Sequence, residues 1–155
     1  MITLIFYLAA FALAYLSRII AKKWFLGYFF GGLIFGLYNE ICFEVCWTYS
    51  SAFGPTIWRD VPLIVVIGWG VLTMLALVIS DRVGNHFHLT NFWLKRLLDI
   101  VCFCLVGIPN ELIVSGLGYW SYNFPIMGAL PMVIFGYIGV GIIVSSIGRT
   151  IQQRV

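Results

Sequence analysis

The sequence predicts an all-α polytopic membrane protein, a bundle of five transmembrane helices in a single domain. Composition is the first reason: 62% of the 155 residues are hydrophobic and only 10% are charged, whereas soluble domains carry about a quarter charged residues. The mean hydropathy of +1.02 points the same way. The apolar runs do not alternate with polar residues as the strands of a membrane barrel do, so helices are expected.

Five apolar segments are long enough to cross a bilayer, which takes about 20 helical residues. They divide the single domain, residues 1–155, into an anchor helix, two helical hairpins and a loop between the hairpins. The segments are 2–20, 24–47, 61–80, 97–117 and 125–147, and the parts are 1–23 (anchor), 24–80 (first hairpin), 81–96 (loop) and 97–148 (second hairpin).

The basic residues predict the orientation of these segments. Eight of the nine lysines and arginines fall on one side, and Arg59 alone falls on the other. The positive-inside rule makes the richer side cytoplasmic, so the N-terminus lies outside and the C-terminus inside, as in a protein of the plasma (inner) membrane. A cleaved signal peptide ending near Ala12–Ala14 is the alternative for the first segment. The positive charges follow that apolar run instead of preceding it, which favours a permanent anchor.

An internal repeat is the most informative pattern in the chain. Gly36–Glu40 and Gly107–Glu111 both have a glycine, two spacers and an Asn-Glu pair. Tyr49 and Trp120, each followed by serine, lie at the same distance beyond their respective glutamates. The second hairpin is therefore predicted to repeat the first in parallel, about an axis along the membrane normal. Coincidence among similar membrane helices is the alternative.

The acids of the repeat are the candidate catalytic residues. An ionisable group inside a membrane is costly and is a functional-site hypothesis by default. Helical rise places Glu40 and Glu111 in the outer half of the bilayer. Glu44 shares a helical face with Glu40, and Ser115 takes the matching position in the second repeat. Coupled carboxyls in a low dielectric do not all ionise, so one can act as an acid beside a base.

Amides and aromatic rings near these acids are the candidate substrate-binding residues. The asparagines are expected to orient the carboxyls, and aromatic faces stabilise cations, including carbocations. Two other interpretations stand beside this one: an interfacial aromatic belt and polar contacts that only join helices. The candidates are Asn39, Asn110, Trp47, Tyr49, Trp69, Tyr119 and Trp120.

Several features predict packing. Four glycines in the second segment allow close helix contacts, and Pro109 is expected to kink the fourth. Asp99 is expected to pair with Lys95 or Arg96. The glycines are Gly27, Gly31, Gly32 and Gly36.

No cofactor or metal is expected. The four cysteines form no C-x-x-C motif, and His86 and His88 alone are a weak metal signal. Phosphate-cradling loops and nucleophile elbows are missing from the sequence, and a net charge of +3 is too small to suggest nucleic acid.

The run from Glu40 through Glu44 to Trp47 resembles the acidic helix of small membrane-integral terpene cyclases of meroterpenoid pathways. The stretch from Glu111 to Trp120 resembles the second acidic helix of that family. Residues 44–63 are similar to the membrane carotenoid hydratase and cyclase group. The resemblance implies that Glu44 and Glu111 protonate an alkene or epoxide and collect the proton afterwards. The chain departs from the terpene cyclases in having five predicted helices instead of about seven.

Three functions are compatible with the sequence. The first is a membrane enzyme that uses buried carboxyls to cyclise, hydrate or isomerise an isoprenoid or another apolar lipid. The second is a small proton- or cation-coupled transporter, which would require a homo-oligomer. The third is a structural membrane subunit without chemistry. Substrate or membrane lipids, and a second copy of the chain, are the expected partners.

Overall fold

The computed structural model describes residues 26–124 and 126–154, together with Leu8, Ala12, Tyr15 and Leu16, which are helical. Most of the predicted anchor helix thus lies outside the described residues. Four long helices make up most of the described part: α1 (Leu26–Phe43), α2 (Leu63–His86), α3 (Phe92–Gly116) and α4 (Ile126–Gln152). Each contains a stretch long and apolar enough to cross a membrane, which supports a membrane protein.

The four helices form a ring in which neighbours along the chain pack together and α1 packs against α4. Helix α1 packs against α2 and α4, and α3 packs against α2 and α4. The largest cluster of buried residues draws on all four helices and includes Phe35, Ala76, Phe103 and Val144. Many large apolar side chains on the outside stay exposed, as expected of a bundle whose solvent is lipid.

Glycines set how closely α1 approaches its neighbours. A Cβ at Gly31 would collide with the backbone of Gly148 on α4, and one at Gly32 would collide with Thr73 on α2. Close contacts of this kind let van der Waals packing hold membrane helices together. The expectation of close packing along this helix is therefore confirmed at these positions.

Short strands close one end of the bundle, which we call the strand end. A 3-10 turn (Glu44–Cys46) follows α1 and leads into β1 (Trp47–Tyr49), which pairs antiparallel with β4 (Trp120–Tyr122). A second 3-10 turn (Ser51–Phe53) precedes β2 (Thr56–Trp58), which pairs antiparallel with β3 (Val61–Pro62). The β1–β4 pair ties the two hairpins together. The sequence predicted helices alone, because strands of two or three residues are too short to show an alternation of polar and apolar residues.

The helix boundaries differ from the predicted ones by a few residues. Helix α2 continues to His86, beyond the predicted limit of 80, and α3 begins at Phe92 instead of 97. Asn91 caps α3, since its side chain accepts hydrogen bonds from the amides of Trp93 and Leu94 at 2.9 and 3.2 Å. Helix α3 runs on through Pro109.

The opposite end carries a buried ion network, and we call it the basic end. Asp99 is fully buried and accepts hydrogen bonds from Arg149 Nε at 2.8 Å and Nη2 at 2.5 Å. Ser80 also donates to Asp99, at 2.6 Å, and Arg149 Nη1 pairs with Asp81 at 2.9 Å. Arg96 lies 3.8 Å from Asp99 without a hydrogen bond. The pairing expected for Asp99 is therefore present but secondary, because α4 brings a better-aligned guanidinium from 50 residues away.

Candidate functional site

Glu40, near the C-terminal end of α1, is the most deeply buried glutamate, with 2% of its surface exposed. Three aromatic donors surround its carboxylate. Trp69 Nε1 on α2 donates to Oε1 at 2.7 Å, and Trp47 Nε1 on β1 donates to Oε2 at 3.1 Å. The Tyr49 hydroxyl on β1 also donates to Oε2.

Glu111, near the end of α3, is surrounded in the same way. Trp120 Nε1 on β4 donates to Oε1 at 2.8 Å, and the Tyr122 hydroxyl donates to the same oxygen. The Tyr137 hydroxyl on α4 donates to Oε2 at 3.1 Å. Each acid thus receives an indole and a phenol from its own strand and one aromatic donor from the next helix.

The strand donors come from two nearly identical tripeptides. Trp47-Thr48-Tyr49 and Trp120-Ser121-Tyr122 pair with Thr48 opposite Ser121, and each tryptophan stands opposite the other strand's tyrosine. Trp47 corresponds to Trp120 by its hydrogen bond, since each donates its indole N–H to the glutamate of its own hairpin. The spacing of the two glutamates aligns Trp120 with Tyr49 instead. The difference arises because α3 continues to Gly116, so the chain reaches β4 later after Glu111 than it reaches β1 after Glu40.

The glycine of each Gly-x-x-Asn-Glu motif makes room for the donor on the following helix. A Cβ at Gly36 would collide with the Trp69 side chain, and one at Gly107 would collide with the Tyr137 ring. Each glycine lies one helical turn before its glutamate, on the same face. The ring that crosses the glycine therefore reaches the carboxylate directly above it.

Aromatic contacts join the two acids across the centre. Tyr49 and Trp120, which bind different glutamates, meet edge to face with centroids 6.1 Å apart. Trp69 and Tyr137 likewise bind different glutamates and stack at 6.1 Å. Phe103 lies beside both of these rings, at 6.3 and 5.9 Å. The carboxylates and their donors form one continuous cluster, which we call the twin-acid site.

The two acids of the site have no basic partner in the part of the chain that the structure describes. Across the described residues, neither Glu40 nor Glu111 has an ion pair with a basic side chain. Burial, followed by the charge of Glu40, raises the pKa of Tyr49, and burial together with its hydrogen bond to Glu111 raises the pKa of Tyr122. Both phenols therefore stay protonated and act as neutral donors.

Glu44 lies apart from the twin-acid site. It opens the 3-10 turn after α1, and its Oε1 pairs with Arg59 Nη1 at 2.5 Å. Its Oε2 is buried and has no hydrogen-bond partner among the described residues. Among the described residues, Arg59 is the one basic residue at the strand end, and it adopts a positive φ of 43° in the tight link between β2 and β3.

The structure brings together most of the predicted site residues but changes their roles. Trp47, Tyr49, Trp69 and Trp120 all contact a catalytic candidate, as described above. Tyr119 packs on Phe53, with ring centroids 5.4 Å apart, instead of on an acid. Asn39 is buried and Asn110 exposed, and in the part of the chain described here the donors to both carboxylates are aromatic, not amide.

Tyr122 and Tyr137 are the residues that sequence reasoning missed as partners of Glu111. The repeated Trp-x-Tyr tripeptide would have identified Tyr122. Tyr137 follows Gly136 as Trp69 follows Gly68, so the repeat contained its signal too. Neither tyrosine lies at the spacing that separates the two glutamates: Tyr122 is offset relative to Tyr49, and Tyr137 relative to Trp69. A strict alignment of the two repeats therefore does not identify them.

Comparison with known proteins adds no relative: no family model, curated protein or solved structure matches the chain. The function is therefore inferred from the residues of the twin-acid site.

Proposed function

We propose that the protein is an integral membrane enzyme that performs acid–base chemistry on an isoprenoid or another apolar lipid, by cyclisation, hydration or double-bond isomerisation. The observation that carries this proposal is the buried carboxylate of Glu40 beside the partly buried carboxylate of Glu111. Each is held by three aromatic donors, without a countercation among the described residues. Such a site stabilises positive charge that forms on an otherwise apolar substrate.

The hydrogen bonds suit a carboxyl that releases and recovers a proton. An indole can only donate, but a phenol can donate or accept. When Glu40 or Glu111 is protonated, the Tyr49 or Tyr122 hydroxyl can rotate to accept its proton. When the acid is ionised, the same hydroxyl donates to it.

The reaction follows from these roles. The protonated carboxyl transfers H⁺ to one carbon of an alkene and leaves a cation on the other carbon. Water then adds to that cation, or a second alkene of the substrate closes a ring onto it and leaves a new cation on its own far carbon. A neighbouring C–H or the added water finally returns a proton to a carboxylate, which restores the enzyme. Glu111 is only partly buried and Asn110 beside it is exposed, which supports entry of a lipid-dissolved substrate at that side.

The resemblance to membrane terpene cyclases and the carotenoid hydratase and cyclase group belongs to this proposal. It would give Glu44 the role of the first acid. The ion pair with Arg59 already engages Glu44, which favours Glu40 as the acid that works with Glu111. Glu44 then anchors the β2–β3 link to the end of α1.

Isotope incorporation tests the proposal. The protein in lipid nanodiscs is incubated in D₂O with acyclic polyprenyl hydrocarbons, alcohols and epoxides, and the products are analysed by mass spectrometry. We expect a product that carries deuterium at the protonated carbon. Glu40→Gln and Glu111→Gln should each reduce its formation by roughly 10²-fold or more, the usual contribution of general acid–base catalysis.

Asp60→Asn is the matched control, because Asp60 is an exposed carboxyl at the same end of the bundle. It should keep wild-type turnover. Folded Glu40→Gln and Glu111→Gln proteins that both retain full turnover of every accepted substrate would contradict the proposal.

A proton- or cation-coupled transporter is the second candidate. The observation that favours it is the presence of acidic clusters at both ends of one bundle, Glu40 and Glu111 at the strand end and Asp81 and Asp99 at the basic end. Proteoliposome flux under a pH gradient separates the two. Uptake that Glu40→Gln abolishes, without any deuterated product, would assign transport.

The proposal includes the orientation and the repeat. The strand end faces outside and the basic end faces the cytoplasm, with the anchor segment as a fifth helix. The paired Trp-x-Tyr tripeptides, the two glycine–ring contacts and the matching donor sets support a parallel duplication of the hairpin.

A further inference from the structure

A cavity of about 250 Å³ opens at the basic end, between the start of α3 and the end of α4. Helix α3 contributes an aromatic ring, two cations and the buried carboxylate, and α4 contributes the guanidinium and a polar side chain, with a second one just after its end. The lining residues are Phe92, Lys95, Arg96, Asp99, Arg149, Thr150 and Gln153. The cavity lies at the opposite end of the helices from the twin-acid site and has no part in the proposed reaction.

The cavity holds more positive charge than its own acid neutralises. Three cations face one carboxylate in the lining. Arg149 already satisfies that carboxylate through two hydrogen bonds and also pairs with Asp81. Among the described residues, Lys95 forms no ion pair, and Arg96 has only the 3.8 Å contact with Asp99, so the two residues supply positive charge that the lining does not neutralise.

Arg96 is the group most clearly prepared for a ligand. Its Nη1 is buried without a hydrogen-bond partner among the described residues, and its nearest carboxylate oxygen is 3.8 Å away. The guanidinium also lies over the Phe92 ring, 5.2 Å from its centroid, which restrains its position. A buried donor without an acceptor is costly, and a planar guanidinium matches the oxygens of phosphate in pairs.

The surroundings indicate where the ligand comes from. Phe92 lines the cavity, and Phe92, Trp93 and Leu97 are exposed large apolar residues in the first turns of α3. Tryptophan is enriched at the headgroup level of a bilayer. The amides at the start of α3 are already capped by Asn91, so recognition falls to the side chains. Basic pockets between membrane helices on the cytoplasmic side bind anionic headgroups.

We infer that this cavity binds a phosphate group carried by an anionic phospholipid. Lys95 and Arg96 hold the phosphate oxygens, and the acyl chains lie along the exposed apolar side chains at the start of α3. Arg149 keeps Asp99 neutralised, so that the buried carboxylate does not repel the ligand.

Lipid retention measures the site directly. The whole protein is placed in nanodiscs of phosphatidylcholine with a minor fraction of phosphatidylglycerol, extracted gently, and the lipids that remain bound are counted by native mass spectrometry. The wild type should retain phosphatidylglycerol in preference to phosphatidylcholine. The double variant Lys95→Gln with Arg96→Gln should weaken this preference about tenfold or more, because each basic residue near an anionic surface contributes strongly.

Arg154→Gln is the matched control, since it removes one positive charge from the same end but outside the cavity. It should retain the preference for the anionic lipid. Lys95→Gln alone changes an exposed side chain and is expected to weaken retention while leaving the unfolding temperature in phosphatidylcholine unchanged. Equal loss of retention in Arg154→Gln, or none in the double variant, would overturn the inference.

A second arm distinguishes the source of the phosphate. Inorganic phosphate is added to the protein in phosphatidylcholine alone, and the unfolding temperature is compared with that in chloride of equal ionic strength. Stabilisation by phosphatidylglycerol and not by inorganic phosphate supports the lipid. Stabilisation by inorganic phosphate without lipid retention would replace the lipid with a soluble anion, and no effect of either would overturn the site.

Discussion

Each glutamate of the twin-acid site depends on a missing side chain one turn earlier. Gly36 admits Trp69 and Gly107 admits Tyr137, and any Cβ at either position would overlap the ring. The glycine and the glutamate of each Gly-x-x-Asn-Glu motif act together, because the helix brings positions four apart onto one face. The glycine leaves space for the ring that donates to the glutamate. The asparagine between them does not donate to the carboxylate in the described structure, although it is just as regular in the sequence.

Replacement of the glycine tests this arrangement. Gly36→Ala should lower the free energy of unfolding by about 1–3 kcal/mol, the usual cost of overpacking, and should weaken the near-ultraviolet circular dichroism of the aromatic cluster. Gly68→Ala is the control, since its Cβ would meet no atom within 4 Å and it stands next to Trp69. It should be neutral or stabilising, because a helical alanine loses less entropy than glycine. Equal effects of the two substitutions would remove the glycine–ring contact from the explanation.

Among the four described helices, α4 contributes the contacts that were hardest to predict from the sequence. It supplies Tyr137 to Glu111 at one end and Arg149 to Asp99 at the other, so both polar clusters depend on its position. Neither contact follows from spacing within one helix, since the partners are 26 and 50 residues apart. Helix α4 also packs on α1 through Gly148.

Loss of the Arg149 guanidinium should be the most destabilising change at the basic end. Arg149→Ala leaves the fully buried Asp99 without its main partner, and an uncompensated buried charge costs roughly 3 kcal/mol. Thermal unfolding in lipid nanodiscs measures this, with Arg154→Ala as the exposed control that should change stability by less than about 0.5 kcal/mol. Asp99→Asn combined with Arg149→Gln should recover part of the loss, because the fully buried position 99 then carries no charge. A double variant no more stable than Arg149→Ala would show that the charge pair is not the cause.

At the scale of the whole molecule, the sequence predicted the mainly helical, apolar class of the protein well but predicted the contacts between its elements poorly. Composition and segment length are sums over many residues, so they indicated long apolar helices, and the described part of the chain contains four that are long and apolar enough to cross a membrane. Pairing of β1 with β4 depends on only three residues in each strand, too few for any periodicity. The same limit explains the site: Glu40 and Glu111 stand out because charge is rare in apolar runs, whereas Tyr137 is one aromatic residue among many.

The proposed orientation of the molecule gives the two ends different accessibility, and this can be measured without any knowledge of the substrate. In a variant without the native cysteines, Asp60→Cys at the strand end should react in intact cells with a thiol reagent that does not cross membranes. Arg154→Cys at the basic end should react only after the membrane is opened. Both residues are exposed in the structure, so a difference in labelling reports the side of the membrane and not burial.

The asymmetry of basic residues predicts this result, and the lipid site requires it, because the cytoplasmic leaflet is the one enriched in anionic lipids. The reverse pattern would invert the bundle and would move the twin-acid site to the cytoplasmic half of the bilayer.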